Sequence, residues 1–287
     1  MPLWTISNEY LDDPLITVVG CGGTGGFVAE GLCRLLIQRL GRILLVDHDV
    51  VEEHNLLRQN FYSEDLGQFK AKALALRLAS RFRRPVRYSV LPWAEGSQAG
   101  VYDRSSGIIV GCVDNHIARR ALAAGFEHYH GGGSRHIWWL DAGNSQESGQ
   151  LILGNSTSRN LEMSFLQGPD IARALPLPSV QQPALLEPAW EPEPVAADCA
   201  QAIEAGNQSP TINQVMASLA LEYVRQLLAG TLTSMATYVD TRAGTMSAVP
   251  ATPEQVAKLI HVRVSRLVEK GTPWQAPVCP RCGRVHG

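Results

Sequence analysis

The chain has 287 residues, of which 45% are hydrophobic and 18% are charged, proportions typical of a globular protein that buries a full core. Its formal net charge of −2 gives no basis for nucleic-acid or anionic-membrane binding, and no apolar stretch approaches the roughly 20 residues of a membrane span. Because the first basic residue is Arg34, we expect no secretory or transit peptide, and we expect a cytoplasmic protein whose six cysteines are reduced.

Short apolar runs alternate with helical patterns along the chain. In order, these patterns predict a strand at 15–19, a helix at 27–40, a strand at 43–46, a helix at 70–82, strands at 86–90, 108–113, 137–140 and 150–153, a helix at 209–228, a hairpin around Arg242-Ala243-Gly244 and a helix at 253–269. Such alternation is typical of parallel sheets with helices on both faces. The sequence therefore predicts an α/β fold with a Rossmann-like, doubly wound, mostly parallel sheet, extended by a C-terminal β-hairpin and helix.

A glycine-rich turn, Gly20-Cys21-Gly22-Gly23-Thr24-Gly25, lies between the first predicted strand and the first predicted helix. Glycines let a backbone approach phosphate closely, and the helix N-terminus offers unpaired N–H groups to an anion. Asp47 ends the second strand and can accept hydrogen bonds from both ribose hydroxyls, while Asp49 is either a second ribose or metal contact or a turn residue. A turn without ligand, an NAD site and an ATP site all remain open at this point.

Three further motifs separate these possibilities. They are the stretch from Asp47 to Gln59, the segment Gly67-Gln68-Phe69-Lys70, and Cys112-Val113-Asp114-Asn115 with Arg119 on the following helix. With the glycine turn, they resemble the ThiF/MoeB/HesA family of ubiquitin-activating-like adenylyltransferases, whose pattern is GxGGxG, DxDxVxxxNxxRQ and GxxK. The resemblance covers roughly residues 14 to 155 and part of 196 to 230.

The resemblance implies an enzyme that uses ATP and Mg²⁺ to turn the C-terminal carboxylate of a ubiquitin-like β-grasp protein, ending in glycine, into an acyl-adenylate. It implies that Asn55, Arg58 and Lys70 hold the triphosphate, that Asp47 holds the ribose, and that Asp114 holds the magnesium ion. The chemistry agrees, because the leaving pyrophosphate gathers negative charge that fixed cations must stabilise.

Three other motif residues have more open roles. The resemblance implies that Gln59 orients the adenylate, with a surface glutamine as the alternative, and that Asn115 belongs to the nucleotide site. Arg119 either bonds the phosphates or pairs with Asp114 or a neighbouring carboxylate. An NAD-dependent oxidoreductase, which needs only the glycine turn and Asp47, is the alternative function.

A proline-rich segment precedes the candidate nucleophile. Seven of the 17 prolines lie from Pro169 to Pro194, and we expect no helix or central strand there, because proline lacks a backbone N–H. Relatives carry a cysteine where this chain has Cys199, which either accepts the acyl group or is a buried small residue. Cys21, Cys33 and Cys112 are interpreted as packing residues. The predicted organisation is an adenylation core at 1–155, a crossing loop at 156–198, the C-terminal part of the same domain at 199–275 and a tail at 276–287.

The tail contains Cys279, Cys282 and His286, which resemble a zinc knuckle, although a structural zinc site takes four ligands. Related enzymes form homodimers, and we expect one here. Such relatives often reach an arginine from the N-terminal segment into the partner's ATP site, yet residues 1–33 contain no lysine or arginine. This departure leaves room for a second alternative, a catalytically weak nucleotide-binding partner protein. The segment after Cys199 resembles more loosely the ThiF-like proteins of the PRTRC system.

Overall fold

The computed structural model describes residues 3–93, 106–129, 136–157, 161–188 and 209–270. Its strands are Thr5–Ile6 (β1), Leu15–Val19 (β2), Arg42–Val46 (β3), Val86–Ser89 (β4), Ser106–Gly111 (β5), His136–Asn144 (β6), Ser148–Gly154 (β7), Phe165–Gln167 (β8), Ile171–Ala172 (β9), Ser234–Asp240 (β10), Thr245–Pro250 (β11) and Val268–Lys270 (β12). Its helices are Gly23–Leu35 (α1), Lys70–Phe82 (α2), His116–Tyr129 (α3), Pro178–Gln181 (α4), Pro210–Ala229 (α5), Pro253–Leu259 (α6) and Val264–Leu267 (α7), and turns of 3-10 helix cover Glu53–Leu57, Ser63–Asp65 and Pro183–Leu186. Within these ranges, no helix combines the length and apolar character that a membrane crossing requires.

The larger sheet has eight strands in the order β11-β10-β7-β6-β5-β2-β3-β4. The five strands from β6 to β4 run parallel, while β7, β10 and β11 extend the sheet in antiparallel fashion. From β2 the chain builds outward through β3 and β4 and then returns to the other side of β2 as β5 and β6. The predicted doubly wound, mostly parallel sheet with a C-terminal hairpin is confirmed. Ligands of such sheets bind at the strand ends where the order reverses, here between β2 and β5.

Helices cover both faces of the parallel strands. On β5, Ile108 and Val110 pack into the main core, which contains apolar residues of α1, α2 and α5. The intervening Ile109 packs on the opposite face with Leu122 and Phe126 of α3. Where both faces are buried, as in β2 and β5, the strand is a nearly continuous apolar run rather than an alternating one. This is why the parallel strands were detectable in the sequence.

The first helix is displaced from its predicted position. It begins at Gly23, four residues before the predicted start, and ends at Leu35. Ile37 and Leu40, which extended the predicted helix, are largely exposed. The glycine-rich turn therefore contributes the first turn of α1 itself.

The prediction of one helix over 253–269 is wrong. Helix α6 ends at Leu259, His261 has a positive φ of 56°, and the chain passes through the short α7 into β12. Strand β12 pairs in parallel with β8. This pairing satisfies backbone groups that a continued helix would otherwise have bonded internally, so a nonlocal contact outweighs the local pattern.

The expectation for the proline-rich segment is also wrong. Strand β9 lies inside a second, four-stranded sheet of order β1-β9-β8-β12, and α4 and a 3-10 turn follow it. Pro178 and Pro183 are each the first residue of a helical turn, where the missing N–H removes no hydrogen bond. The segment is therefore partly structured up to residue 188, where the described range ends.

Candidate functional site

A cleft of about 590 Å³ opens at the carboxyl ends of β2, β3 and β5, a size within the range of small-molecule sites. It lies where the strand order reverses. The predicted residues that line it are Gly20, Gly22, Gly23, Asp47, Asp49, Asn55, Arg58, Gln59, Lys70, Asp114 and Asn115. The structure thus brings together residues that are spread over almost a hundred positions of the sequence.

The glycine turn is held by two close approaches of the backbone. Gly20 has a φ of +87°, and a Cβ there would lie 2.5 Å from the carbonyl oxygen of Cys112. Gly25 does not line the cleft, but a Cβ on it would lie 1.8 Å from the carbonyl oxygen of Gly20. Both positions therefore exclude a side chain, and this lets β2 turn directly into α1 beside the cleft.

Asp47 is 9% exposed and is fixed by the backbone on both sides. Its Oδ2 accepts a hydrogen bond from the Cys21 N–H at 2.6 Å, and its Oδ1 accepts one from the Asp49 N–H at 2.8 Å. Burial raises the pKa of Asp47, while the two N–H donors act in the opposite direction. The carboxylate is therefore held in one orientation at the mouth of the glycine turn.

A cation lies beside this carboxylate. The Nζ of Lys70, the first residue of α2, donates to Asp49 Oδ2 at 3.0 Å, and the Lys70 side chain is only 9% exposed. The carboxylate of Asp49 is half exposed. A largely buried ammonium group is thus balanced by a half-exposed carboxylate, which an incoming anion can replace.

Asn55 organises the turn that carries Arg58 and Gln59. Its Oδ1 accepts a hydrogen bond from the Glu52 N–H at 3.0 Å, and its backbone carbonyl accepts from the N–H groups of Arg58 and Gln59 at 3.2 and 2.9 Å. Asn55 is 2% exposed. The hydrogen bonds of Asn55 therefore fix the shape of this turn. That shape places Arg58 and Gln59 in the wall of the cleft.

Asp114 and Asn115 follow β5 and are both exposed. The Oδ1 of Asn115 accepts from the Ala118 N–H at 2.8 Å, which caps the start of α3. Its Nδ2 donates to Asp114 Oδ1 at 3.3 Å. Asn115 therefore has a structural function that the sequence did not indicate, and it orients the carboxylate of Asp114. An exposed carboxylate in this position is a suitable oxygen ligand for Mg²⁺.

Arg119 forms an ion pair with Asp141. Of the predicted alternatives for Arg119, the structure therefore shows the pairing with a neighbouring carboxylate. The Arg119 Nε lies 3.1 and 3.3 Å from the two carboxyl oxygens, and Asp141 is completely buried. Burial raises the pKa of Asp141 although Arg119 lowers it. Neither residue lines the cleft, and the pair ties α3 to β6.

Several lining residues were not predicted. Thr24 and Asn144 line the cleft and are hydrogen-bonded to each other at 3.0 Å. His48 and His54 also line it. Asp47, His48 and Asp49 each offer one atom that could bind a metal ion, and these three atoms lie within 4.8 Å of one another. Asn144 could have been predicted as a site residue from its position at the carboxyl end of a parallel strand, where ligand-binding residues are common.

An apolar wall completes the cleft. Val46, Trp93 and Val113 line it and pack in one hydrophobic cluster on the α3 face of the sheet. The cleft thus combines an apolar wall with the fixed carboxylate of Asp47, cations and a helix N-terminus. This combination suits a ligand with an aromatic base, a ribose and phosphates.

A family model described as the ThiF family matches residues 8–255. The chain belongs to the ThiF family. This confirms the resemblance inferred from the glycine turn and the three spaced motifs, and the match extends through α5 and the C-terminal hairpin.

Curated relatives match this ThiF-family chain over shorter stretches. Adenylyltransferase and sulfurtransferase MOCS3 of Mus musculus is 37% identical over 102 residues, which are 35% of this chain and 21% of that protein. Ubiquitin-like modifier-activating enzyme 5 of Drosophila grimshawi is 29% identical over 154 residues, which are 49% of this chain and 36% of that protein. The chain therefore spans about a fifth to a third of the length of these relatives.

The fold is shared with solved structures. The crystal structure of E. coli MccB with ATP aligns with a TM-score of 0.53 at 16% identity, covering 85% of this chain and 64% of MccB. At this level of identity the likeness concerns the fold alone.

The cysteines of the described ranges are free. Cys21 and Cys33 are buried, and Cys112 is half-buried at the cleft wall. Burial raises the pKa of the Cys21 and Cys112 thiols and raises that of Cys33 to about 11, so all three are protonated thiols at neutral pH, in keeping with packing residues. Cys199, Cys279, Cys282 and His286 lie outside the described residues.

Proposed function

We propose that this chain uses MgATP to adenylate the C-terminal carboxylate of a ubiquitin-like β-grasp protein. The observation that carries the proposal is the convergence on one cleft of a glycine turn, Asp47, Arg58, Lys70 and Asp114. Two relatives are an adenylyltransferase and a ubiquitin-like modifier-activating enzyme by name, and MccB was solved with ATP. These names support the same chemistry here.

The nucleotide is assigned to the cleft by matching chemistry. The apolar wall of Val46, Trp93 and Val113 suits the adenine ring, and the fixed carboxylate of Asp47 suits the ribose hydroxyls. The N-terminus of α1 suits the phosphates, because its first N–H groups have no partner within the helix and can donate hydrogen bonds to an anion.

The reaction needs positive charge where the pyrophosphate leaves. An oxygen of the partner's carboxylate forms a bond to the α-phosphorus, the bond from that phosphorus to the oxygen bridging to the β-phosphate breaks, and its electron pair leaves with the pyrophosphate. Arg58 stabilises the negative charge that develops on the leaving pyrophosphate. Lys70 stabilises the same charge once its ammonium group has left the carboxylate of Asp49 and bound a phosphate oxygen instead. Asp114, held by Asn115, would bind Mg²⁺, which when present neutralises phosphate charge.

Nucleotide binding can be tested without the partner. We expect MgATP to raise the melting temperature of the wild-type protein, because a ligand that binds only the folded state stabilises it. Lys70→Met should reduce this shift strongly. Lys72→Met is the matched control, since Lys72 is exposed on the same helix and does not line the cleft. Equal shifts in all three proteins would contradict the assignment of Lys70.

The chemical step is tested by exchange of labelled pyrophosphate into ATP. The assay uses a ubiquitin-like protein ending in glycine that co-purifies with the chain, and Asp114→Ala should abolish the exchange. Stabilisation by NAD(H) but not ATP would favour the oxidoreductase alternative. ATP binding without exchange in the presence of that protein would favour a catalytically weak partner protein.

Cys199 is proposed as the acceptor of the acyl group. Adenylation is complete before a thiol attacks the acyl-AMP, so Cys199→Ala should retain pyrophosphate exchange and lose only the covalent adduct. The adduct is read on a non-reducing gel and should disappear with thiol or hydroxylamine. An adduct that survives in Cys199→Ala would identify another nucleophile.

Two further features are proposed from the resemblance. Zinc bound by Cys279, Cys282, His286 and a fourth ligand should give about one metal ion per chain by elemental analysis, since a structural site takes four ligands. Replacing both cysteines by serine should release it. A homodimer should give twice the chain mass in sedimentation equilibrium.

A further inference from the structure

Four polar groups from distant parts of the chain meet at the side of the cleft that Thr24 and Asn144 line. Thr24 Oγ1 donates to Asn144 Oδ1 at 3.0 Å and lies 3.4 Å from Asn213 Oδ1. Asn144 Nδ2 donates to Asn213 Oδ1 at 3.0 Å, and Asn213 Nδ2 donates to the Arg58 carbonyl oxygen at 3.4 Å. The amide of Asn213 therefore joins the first turn of α1, the end of β6 and the Arg58 turn to α5.

Asn213 is a polar residue in an apolar setting. It is completely buried on the face of α5 that also carries Met216, Ala217 and Ala220 into the core. A buried amide is costly unless its hydrogen bonds are satisfied, so its place in α5 depends on these partners. Gly23 makes room for it, because a Cβ there would lie 2.2 Å from Asn213 Nδ2.

The backbone of Arg58 is held from two sides. Its N–H donates to the Asn55 carbonyl at 3.2 Å within the turn, and its carbonyl accepts from Asn213 outside the turn. The first contact is local and belongs to the turn itself. The second joins this turn, through Asn213, to the glycine turn and α1, and the hydrogen bond from Asn60 Nδ2 to Glu30 Oε2 at 3.2 Å ties the next residues to α1 as well.

We propose that Asn213 is a positioning residue for triphosphate binding, which sets the Arg58 turn at its distance from the glycine turn. This inference rests on the proposed function, since Arg58 is assigned there to the phosphates. Asn213 does not line the cleft and acts through Arg58. It therefore affects ligands that carry a triphosphate and leaves the adenosine part of the site unchanged.

The test compares MgATP and adenosine on the full chain by isothermal titration calorimetry. For Asn213→Ala we expect MgATP to bind roughly three- to tenfold more weakly, which is about the effect of losing one ordinary hydrogen bond from Arg58 to a phosphate. Adenosine should bind as in the wild type, because Asp47 and the apolar wall are untouched. Asn213→Ser, a milder change that keeps a small polar group, should weaken MgATP binding in the same direction and serves if the alanine variant does not fold.

Met216→Ala is the control for stability alone, since Met216 is equally buried one turn further along α5 and does not line the cleft. It should lower the melting temperature and leave both affinities unchanged. Equal loss of MgATP and adenosine binding in Asn213→Ala, no loss of either, or the same loss in Met216→Ala would overturn the inference. A wild-type protein that binds no MgATP would overturn the proposed function as well, which separates the two failures.

Discussion

The buried pair of Arg119 and Asp141 allows a sharp test of how charge is accommodated beside the cleft. Asp141 is completely buried, and the Arg119 side chain is 11% exposed. Burial raises the pKa of Asp141 even with Arg119 at 3.1 Å, so the attraction does not fully offset the loss of hydration. We therefore expect the pair to contribute little net stability, while each member depends strongly on the other.

The expected magnitudes follow from this balance. Arg119→Met leaves a buried carboxylate without its partner, and Asp141→Leu leaves a buried guanidinium, so each single change should lower the free energy of unfolding by about 3 to 5 kcal/mol. The double variant removes both charges and should lie within about 1 kcal/mol of the wild type. The changes should therefore be strongly non-additive, as contacting residues are.

Urea unfolding of the four proteins measures this cycle, and pH adds a second check. In Arg119→Met, the folded-state pKa of Asp141 should rise further above its unfolded value, so the folded protein binds the extra proton. The stability of this variant should then be greatest in acid and fall as pH rises through that raised pKa. Single variants that each cost less than about 1 kcal/mol, or a double variant that costs the sum of both, would refute the reasoning.

Three other predictions concern the site and the core. Gly25→Ala should destabilise the protein by about 2 kcal/mol or more in thermal unfolding, because its Cβ would lie 1.8 Å from a backbone oxygen, whereas Gly22→Ala should be tolerated, since the nearest atom is 3.6 Å away. Tyr223, whose pKa burial raises to about 12, should make the free energy of unfolding fall between about pH 10 and 12, and Tyr223→Phe should lack this fall in urea titrations. Iodoacetamide at pH 8 should alkylate Cys33 far more slowly in the native protein than in urea, because burial raises its pKa to about 11; fast native labelling would contradict this.

The parallel core could be predicted because its signals are local. Each strand buried on both faces is an apolar run, and α2 begins and ends where its pattern indicates. The second sheet could not be predicted in the same way. Its strands β1, β8, β9 and β12 have two or three residues each, and pairings such as β12 with β8 join segments about a hundred residues apart. Such strands exist only through their partners, which leaves no periodic signal.

The same distinction holds for the candidate site. Asp47, Arg58, Lys70 and Asp114 lie in spaced motifs, so the sequence pointed to them before the structure placed them in one cleft. Asn213 is different, because its partner Thr24 is 189 positions away and its helix otherwise presents apolar residues to the core. The sequence left three partners open for Arg119, namely the phosphates, Asp114 and a neighbouring carboxylate. The distance of 3.1 Å between Arg119 Nε and Asp141 Oδ1 identifies the third.

The packing of α5 against α1 has a consequence for how the chain folds during synthesis. Gly31 of α1 lies so close to Leu221 of α5 that a Cβ would meet that side chain at 2.0 Å, and the Ile6 N–H donates to the Leu232 carbonyl at 2.7 Å. The face of α1 that packs against α5 is thus covered by residues made some 190 positions later. At roughly 5 to 20 residues per second, ribosomes leave this surface of α1 exposed for about ten seconds or longer. The first half of the chain is therefore a poor candidate for expression as an independent nucleotide-binding fragment.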